Sequence, residues 1–378
     1  MGHVVELLHD TAAPTLDETT DRRIARYVSN LAEDERRYLN RRRARSVSIA
    51  HARDVLFLRS VEELAARAFR GRITPRGYSR QAPGVDGDRI ANLDLSDLHI
   101  GASLSPDESP ESYAWTEAAR RLAFVVDQAA EYKTRYRDRQ TLHVYLNGDL
   151  FEGFLEHDRA DGFPLSEQFV ATLRYLAQSI AYLSSAYRSV HVWVVPGNHG
   201  RNKLRHPGRA TTQKWDSYET MLAVSLREAC SRLANVTFHI SKAPAVVVPL
   251  LDGAALLTHG DTELAIGDPD TRGRTYEIES NRINGNRVYG RHIDLFVVGH
   301  WHKGRILRLP RTAWIVNGPL VPSNGHARTH GYHGACGQWL WESVIGHPLG
   351  DARFIEVGTV QDQDATLDRI VTSFDGVL

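Results

Sequence analysis

Five short stretches of this 378-residue chain end an apolar run in residues that bind metals. LDLSDLHIG carries Asp97 and His99, YLNGDLFEG carries Asp149, VVPGNHGRN carries Asn198 and His199, LLTHGD carries His259, and VVGHWHKG carries His300 and His302. Carboxylates, imidazoles and an amide oxygen without a thiolate suit Mn²⁺, Fe or Zn²⁺ rather than a cysteine-bound structural zinc. So many ligands oversupply one ion, whereas two ions sharing a carboxylate accommodate them. Two divalent ions about 3.5–4 Å apart are the usual apparatus for in-line displacement at phosphorus. The HxH pair raises its own question. Residues i and i+2 of an extended strand point the same way, so His300 and His302 are expected to project together if strand geometry persists through Trp301. Taken alone, that pair fits two surface histidines capping a strand better than it fits a metal site.

Elements with a consistent rhythm must bring these residues together. Strand patterns at IANLDLSD, TLHVYLNGD and VHVWVVPGN alternate with helical patterns over ESYAWTEAARRLAFVVDQAAEYKTRYRD, SEQFVATLRYLAQSIAYLSSAYR and SYETMLAVSLREACSRL. Further strands are expected at PAVVVPL, AALLTHGD, DLFVVGHWH, GRILRLP and TAWIVNG. This pattern predicts a layered α/β domain with helices packed on sheet faces. In such sheets, sites form beyond the carboxyl ends of strands, where residues distant in sequence meet. Glycines beside the ligands let the chain turn away sharply. The first seventy or so residues read as helices, with Ser60 and Glu63 forming a capping box, and GRITPRGYSRQAPGVDGDR reads as a linker. The expected organisation is a helical region at 1–72, a linker at 73–90, the main domain at 91–358 and a tail at 359–378.

In order and placement, DLH, GD, GNH, HG and GHWH resemble the motifs of the calcineurin-like metallophosphoesterase superfamily. The resemblance runs from about Ala91 to Asn324. GDLFEG is similar to the start of the Mre11 and SbcD exonuclease branch, and GNHGR, THGD and GHWHKG to phage-type members. The resemblance implies a layered β-sandwich flanked by helices, here with an N-terminal helical appendage. It implies that Asp97, His99 and His302 hold one divalent ion, that Asn198, His259 and His300 hold the other, and that Asp149 bridges them. It further implies a bridging hydroxide that attacks phosphorus, with His199 stabilising the phosphoryl oxygens and protonating the leaving group. Many members carry an acid after GNH that orients this histidine; Gly200 stands there instead, followed by Arg201. Arg201 is either a fork for substrate phosphate or an arginine on a solvated loop. The expected activity is hydrolysis of phosphodiesters in DNA, with a phosphatase or small-nucleotide phosphodiesterase second and a non-catalytic scaffold third. A homo-oligomer or an ATPase partner is conceivable but has no support in these residues.

Other features set bounds. With 46 basic and 46 acidic residues, no global field advertises nucleic acid or membrane, although RRRAR at Arg41–Arg45 is a local basic run. Two cysteines, Cys230 and Cys336, argue against a disulfide framework and suit a reducing compartment. The start MGHVVELLHD has no signal-peptide pattern, and no apolar run reaches the roughly 20 residues of a membrane span. A cytoplasmic protein is therefore expected. Asp94 is expected to be structural, Asp261 to bond a ligand histidine or cap a turn, and Trp301 to pack in the core. DTRGRTYEIESNRINGNRVYGRH reads as a substrate-facing insertion or a solvated helix and loop, and NGHARTHGYHGACG as a loop over the site.

Overall fold

The computed structural model describes residues 89–104, 109, 113–132, 141–153, 164–201, 214–261, 264, 266–323 and 334–357. The expected helical region, the tail, Arg41–Arg45 and the Ser60–Glu63 pair lie outside the described residues. So does most of NGHARTHGYHGACG. The last two residues of the expected linker belong to a strand, because Arg89 pairs opposite Val344 and its guanidinium donates to Glu342 at 2.9 Å.

Two sheets face each other. In the first, β1 (Arg89–Leu95), β2 (Thr141–Asn147), β3 (Ser189–Val195) and β4 (Val236–Ile240) run parallel. Beyond β1, β10 (Gly337–Val344) and β11 (Ala352–Glu356) add antiparallel, giving the order β11-β10-β1-β2-β3-β4. The second sheet has the order β5-β6-β7-β9-β8, from β5 (Ala245–Pro249), β6 (Ala254–Thr258), β7 (Leu295–Val298), β8 (Arg305–Arg308) and β9 (Ala313–Val316). Helices α1 (Trp115–Glu131), α2 (Leu165–Ala186) and α3 (Tyr218–Ala229) connect the parallel strands of the first sheet, and α4 (Gly273–Gly285) connects β6 to β7.

Period-two patterning divides the apolar residues between two cores. On β6, Ala255 and Leu257 join Tyr145, Trp193 and Trp341 between the sheets, while Leu256 faces Tyr276 and Ile283 of α4. On β7, Leu295 and Val297 turn inward, whereas Phe296 and Val298 turn towards α4. Tyr145 and Trp341 stack across the first sheet with centroids 5.4 Å apart. Helix α1 buries Ala118, Leu122, Val125, Val126 and Ala129, the recurring stripe of a helix that covers a sheet.

The stretch expected to be a substrate-facing insertion or a solvated helix contains α4, which buries Tyr276 and Ile283 against the second sheet. The strands expected from the sequence do not include β4, β10 and β11; β10 pairs with β1 across some 250 positions, a contact no local pattern announces. Neither Cys230 nor Cys336 is in a disulfide, and both are buried. Among the described residues, no helix is long and apolar enough to cross a membrane.

The outer core centres on Trp314, which is fully buried, stacks on Phe296 at 4.2 Å and donates its indole N–H to Ser280 Oγ at 2.8 Å. Trp314→Ala is expected to lower unfolding free energy by about 3–5 kcal/mol, measured by urea denaturation. A loss below about 1 kcal/mol would show that this layer does not stabilise the domain.

Candidate metal centre

The eight singled-out residues at the ends of the five motif strands converge on one place. Three sets bring ligand atoms within 4.8 Å of one another: Asp97, His99 and His302; His99, Asp149 and His199; and Asp149, His259 and His300. Asn198 joins the last set, its Oδ1 lying 3.1 Å from His259 Nε2. His99 and Asp149 therefore belong to adjoining clusters.

The backbone that aims these side chains is strained. Asp97, His99, Asp149, His300 and His302 have φ of 52°, 45°, 51°, 68° and 52°, the left-handed region that L-residues avoid. Among the described residues, the only other non-glycine there is Arg287. Such residues persist where surrounding structure over-determines them, and they cluster at functional sites. Their shared conformation corrects the HxH expectation. β7 ends at Val298, so strand alternation does not govern His300 and His302. They separate instead: His300 joins Asp149 and His259, while His302 joins Asp97 and His99. Trp301 between them packs on the outer core.

Backbone bonds lace the turns together. Asp97 and His99 N–H donate to the carbonyls of Gly148 and Asp149, each at 3.1 Å, and Gly299 N–H donates to His259 O at 3.0 Å. His300 N–H lies 3.0 Å from Asp97 Oδ1, and Ser96 Oγ donates to Asp97 Oδ2 at 2.6 Å. Gly148, at φ 79°, has no substitute: a Cβ there would meet the Gly197 backbone and come within 2.7 Å of His259 Nδ1.

Hydrogen bonds fix the tautomers. His259 Nδ1 lies 2.7 Å from the Asn147 carbonyl, which can only accept, so Nδ1 carries the proton. Nε2 is left facing Asp149 Oδ2 at 3.0 Å and Asn198 Oδ1 at 3.1 Å. His99 Nδ1 meets Glu152 Oε2 at 2.7 Å, leaving its Nε2 3.2 Å from His302 Nε2. Two metal ligands at about 2.0–2.1 Å from one ion sit roughly that far apart. Carboxylate or carbonyl partners on the far ring nitrogen are the usual support of metal-binding histidines. The donor set and its supports therefore fit a pair of divalent ions.

Glu152 is a functional residue outside the expected ligand set. Its carbonyl accepts from His199 Nδ1 at 2.7 Å, and its carboxylate serves His99. It thus supplies an orienting partner for His199, whose N–H donates to Asp149 Oδ1 at 2.8 Å. Glu152 lies within GDLFEG, and an acid three positions after the candidate bridging carboxylate is the signal the sequence carries for it. Arg201 does not stand free on a solvated loop; it pairs with Asp261, as does the buried Lys214. Among the described residues, the Asp261 carboxylate is taken up by these two cations rather than by a ligand histidine. Asp94 is fully buried outside these clusters, and burial together with nearby Asp97 pushes its carboxyl well above the ordinary range.

The electrostatics are those of opposed charges held out of water. Burial opposes every ionised form, yet His259 and His199 hold the Asp149 carboxyl well below its usual range. Against its own burial, His259 is raised to about 10 by Asp149, and His99 to about 9 by Glu152. His300 goes the other way, down to about 4, through burial and neighbouring His259. Metal-free, His259 and His99 hold protons at pH 7 that a metal must displace. These raised values stabilise the metal-free fold below about pH 6.5, and that contribution disappears as pH rises through 9 to 10. Metal affinity should run oppositely, rising with pH over that window. Titration of Mn²⁺ at pH 7 in buffers of different ionisation enthalpy is expected to show release of at least one proton. Heats independent of buffer would contradict this electrostatic picture.

No family model and no curated protein matches the chain. Solved structures similar to it include a hypothetical protein from Pyrococcus horikoshii OT3 (12% identity, 75% of this chain and 94% of that one, TM-score 0.38). An archaeal phosphodiesterase matches at 10% identity over 71% and 99%, TM-score 0.32. A predicted phosphoesterase from Streptococcus pneumoniae TIGR4 matches at 13% identity over 71% and 98%, TM-score 0.27. The fold and the site stand on the chain's own geometry.

Proposed function

We propose that this chain is a calcineurin-like metallophosphoesterase that hydrolyses phosphoesters with two divalent ions. The observation that carries this reading is the convergence of the ligand groups. Asp97, His99 and His302 form one group, Asn198, His259 and His300 the other, and Asp149 stands between them, within reach of both His99 and His259. Mn²⁺ suits this set best, with Fe or Zn²⁺ as alternatives. When bound, the ions supply a water acidified towards neutral pH and positive charge for the phosphoryl oxygens.

The protein's own groups do the rest. The Glu152 carbonyl pins His199 Nδ1 as a donor, so Nε2 is the nitrogen offered to substrate. There a protonated ring can stabilise phosphoryl oxygens and give its proton to the leaving oxygen. Asp261 restrains Arg201, keeping a guanidinium two residues from His199 and ready for a non-bridging phosphate oxygen. A phosphodiester in DNA is the preferred substrate class, supported by the GDLFEG stretch and by the basic run Arg41–Arg45. On this reading nucleic acid is the partner, and the protein works in the cytoplasm.

The test compares Mn²⁺-loaded protein on linear single- and double-stranded DNA, bis-p-nitrophenyl phosphate and p-nitrophenyl phosphate. DNA and diester cleavage are expected, with His199→Ala lowering kcat by about 10²–10⁴-fold while metal stoichiometry stays at two. Cleavage of monoesters alone would replace the nuclease reading with a phosphatase. Inertness towards all four with both ions bound would contradict the catalytic reading itself.

A further inference from the structure

Glu219, in the first turn of α3, is wholly buried and is not among the metal-ligand groups. Its carboxylate takes two backbone N–H groups from two different turns. Oε1 accepts from Leu150 at 2.6 Å and Oε2 from Gly197 at 2.5 Å. Leu150 directly follows Asp149, and Gly197 directly precedes Asn198. One carboxylate thus spans the turns after β2 and β3 and fixes the spacing of two residues that meet at His259 Nε2.

The surroundings are built for that span. Gly200 leaves the room for it, since a Cβ there would come within 3.0 Å of Glu219 Cδ. Ser217 secures the start of α3, with Oγ accepting from Glu219 N–H at 3.1 Å and donating to Gly200 O at 2.9 Å. A carboxylate with two acceptor oxygens satisfies both N–H groups; a glutamine would present one acceptor and turn an N–H₂ against the other donor. Burying a carboxylate beside the Asp149 carboxylate is costly, and a helix start alone does not require it.

We propose that Glu219 is a positioning residue for the ion held by Asn198, His259 and His300 with Asp149. It acts through backbone and touches no ligand atom. It sets the distance between the Asp149 and Asn198 oxygens, whereas the Asp97–His99–His302 group is positioned by other contacts. This rests on the dinuclear reading above.

The experiment is Mn²⁺ titration of the full chain by calorimetry, comparing wild type, Glu219→Gln and Ser217→Ala, with His300→Ala identifying which step belongs to which ion. Metal-free melting temperatures are recorded alongside. In Glu219→Gln the ion assigned through His300 is expected to bind about 10–100-fold more weakly, and the other to change less than about threefold. Ser217→Ala should weaken the same step by a smaller factor, and it decides the matter if Glu219→Gln does not fold. A lower melting temperature with both affinities unchanged, or an equal loss at both steps, would overturn the assignment to Glu219 and leave the dinuclear centre standing. Wild type that binds fewer than two ions would overturn the dinuclear reading and this inference with it.

Discussion

Asp97 and Asp149 are carboxylates with almost no contact with water, and the ends of both sheets are organised around them. A buried charge costs several kcal/mol unless it is matched. Apart from Ser96, which directly precedes Asp97, the matching groups come from outside the carboxylates' own strand ends. Asp97 takes Ser96 Oγ and the His300 N–H and lies 3.3 Å from His302 Nε2, while Asp149 takes the His199 N–H and faces His259. Removing either acid would strand donors from two sheets. The sandwich therefore does more than hold a site at one end, because its strand-end turns meet through these charges.

The turns are held where backbone sterics would not leave them. Five candidate ligands occupy the left-handed region, at about 1–3 kcal/mol each. What maintains them is the rigid frame below: two cores that share β6 and β7, and inter-turn hydrogen bonds that leave little freedom. A site of this kind is preorganised for charge. Its imidazoles already carry their supports, in the Asn147 carbonyl for His259 and Glu152 for both His99 and His199. Little reorganisation then remains when ligands are drawn onto an ion.

The sequence made the ligands legible because each follows an apolar strand, and strand ends in a layered α/β domain converge by topology. The parallel strands β1 to β3 and the helices between them were legible for the same local reason. β10 was not. GQWLWESV has bulky residues on both faces, and its partner β1 lies far away in sequence. The same-face argument for His300 and His302 held only if the strand continued past Val298, whereas β7 ends there and both histidines take left-handed backbone. Glu152 and Glu219 were passed over for a different reason. Glu152 is defined by its carbonyl under His199 and its carboxylate on His99, Glu219 by two N–H groups on separate turns, and only tertiary structure supplies such partners.

The central claim is that one strand-end cluster holds two ions rather than one or none. Crystals grown with Mn²⁺ and measured at the manganese absorption edge test it most directly. The account predicts two anomalous peaks about 3.5–4 Å apart, one beside Asp97, His99 and His302, the other beside Asn198, His259 and His300, with Asp149 between them. A single peak, or none at saturating Mn²⁺, Fe and Zn²⁺, would contradict it.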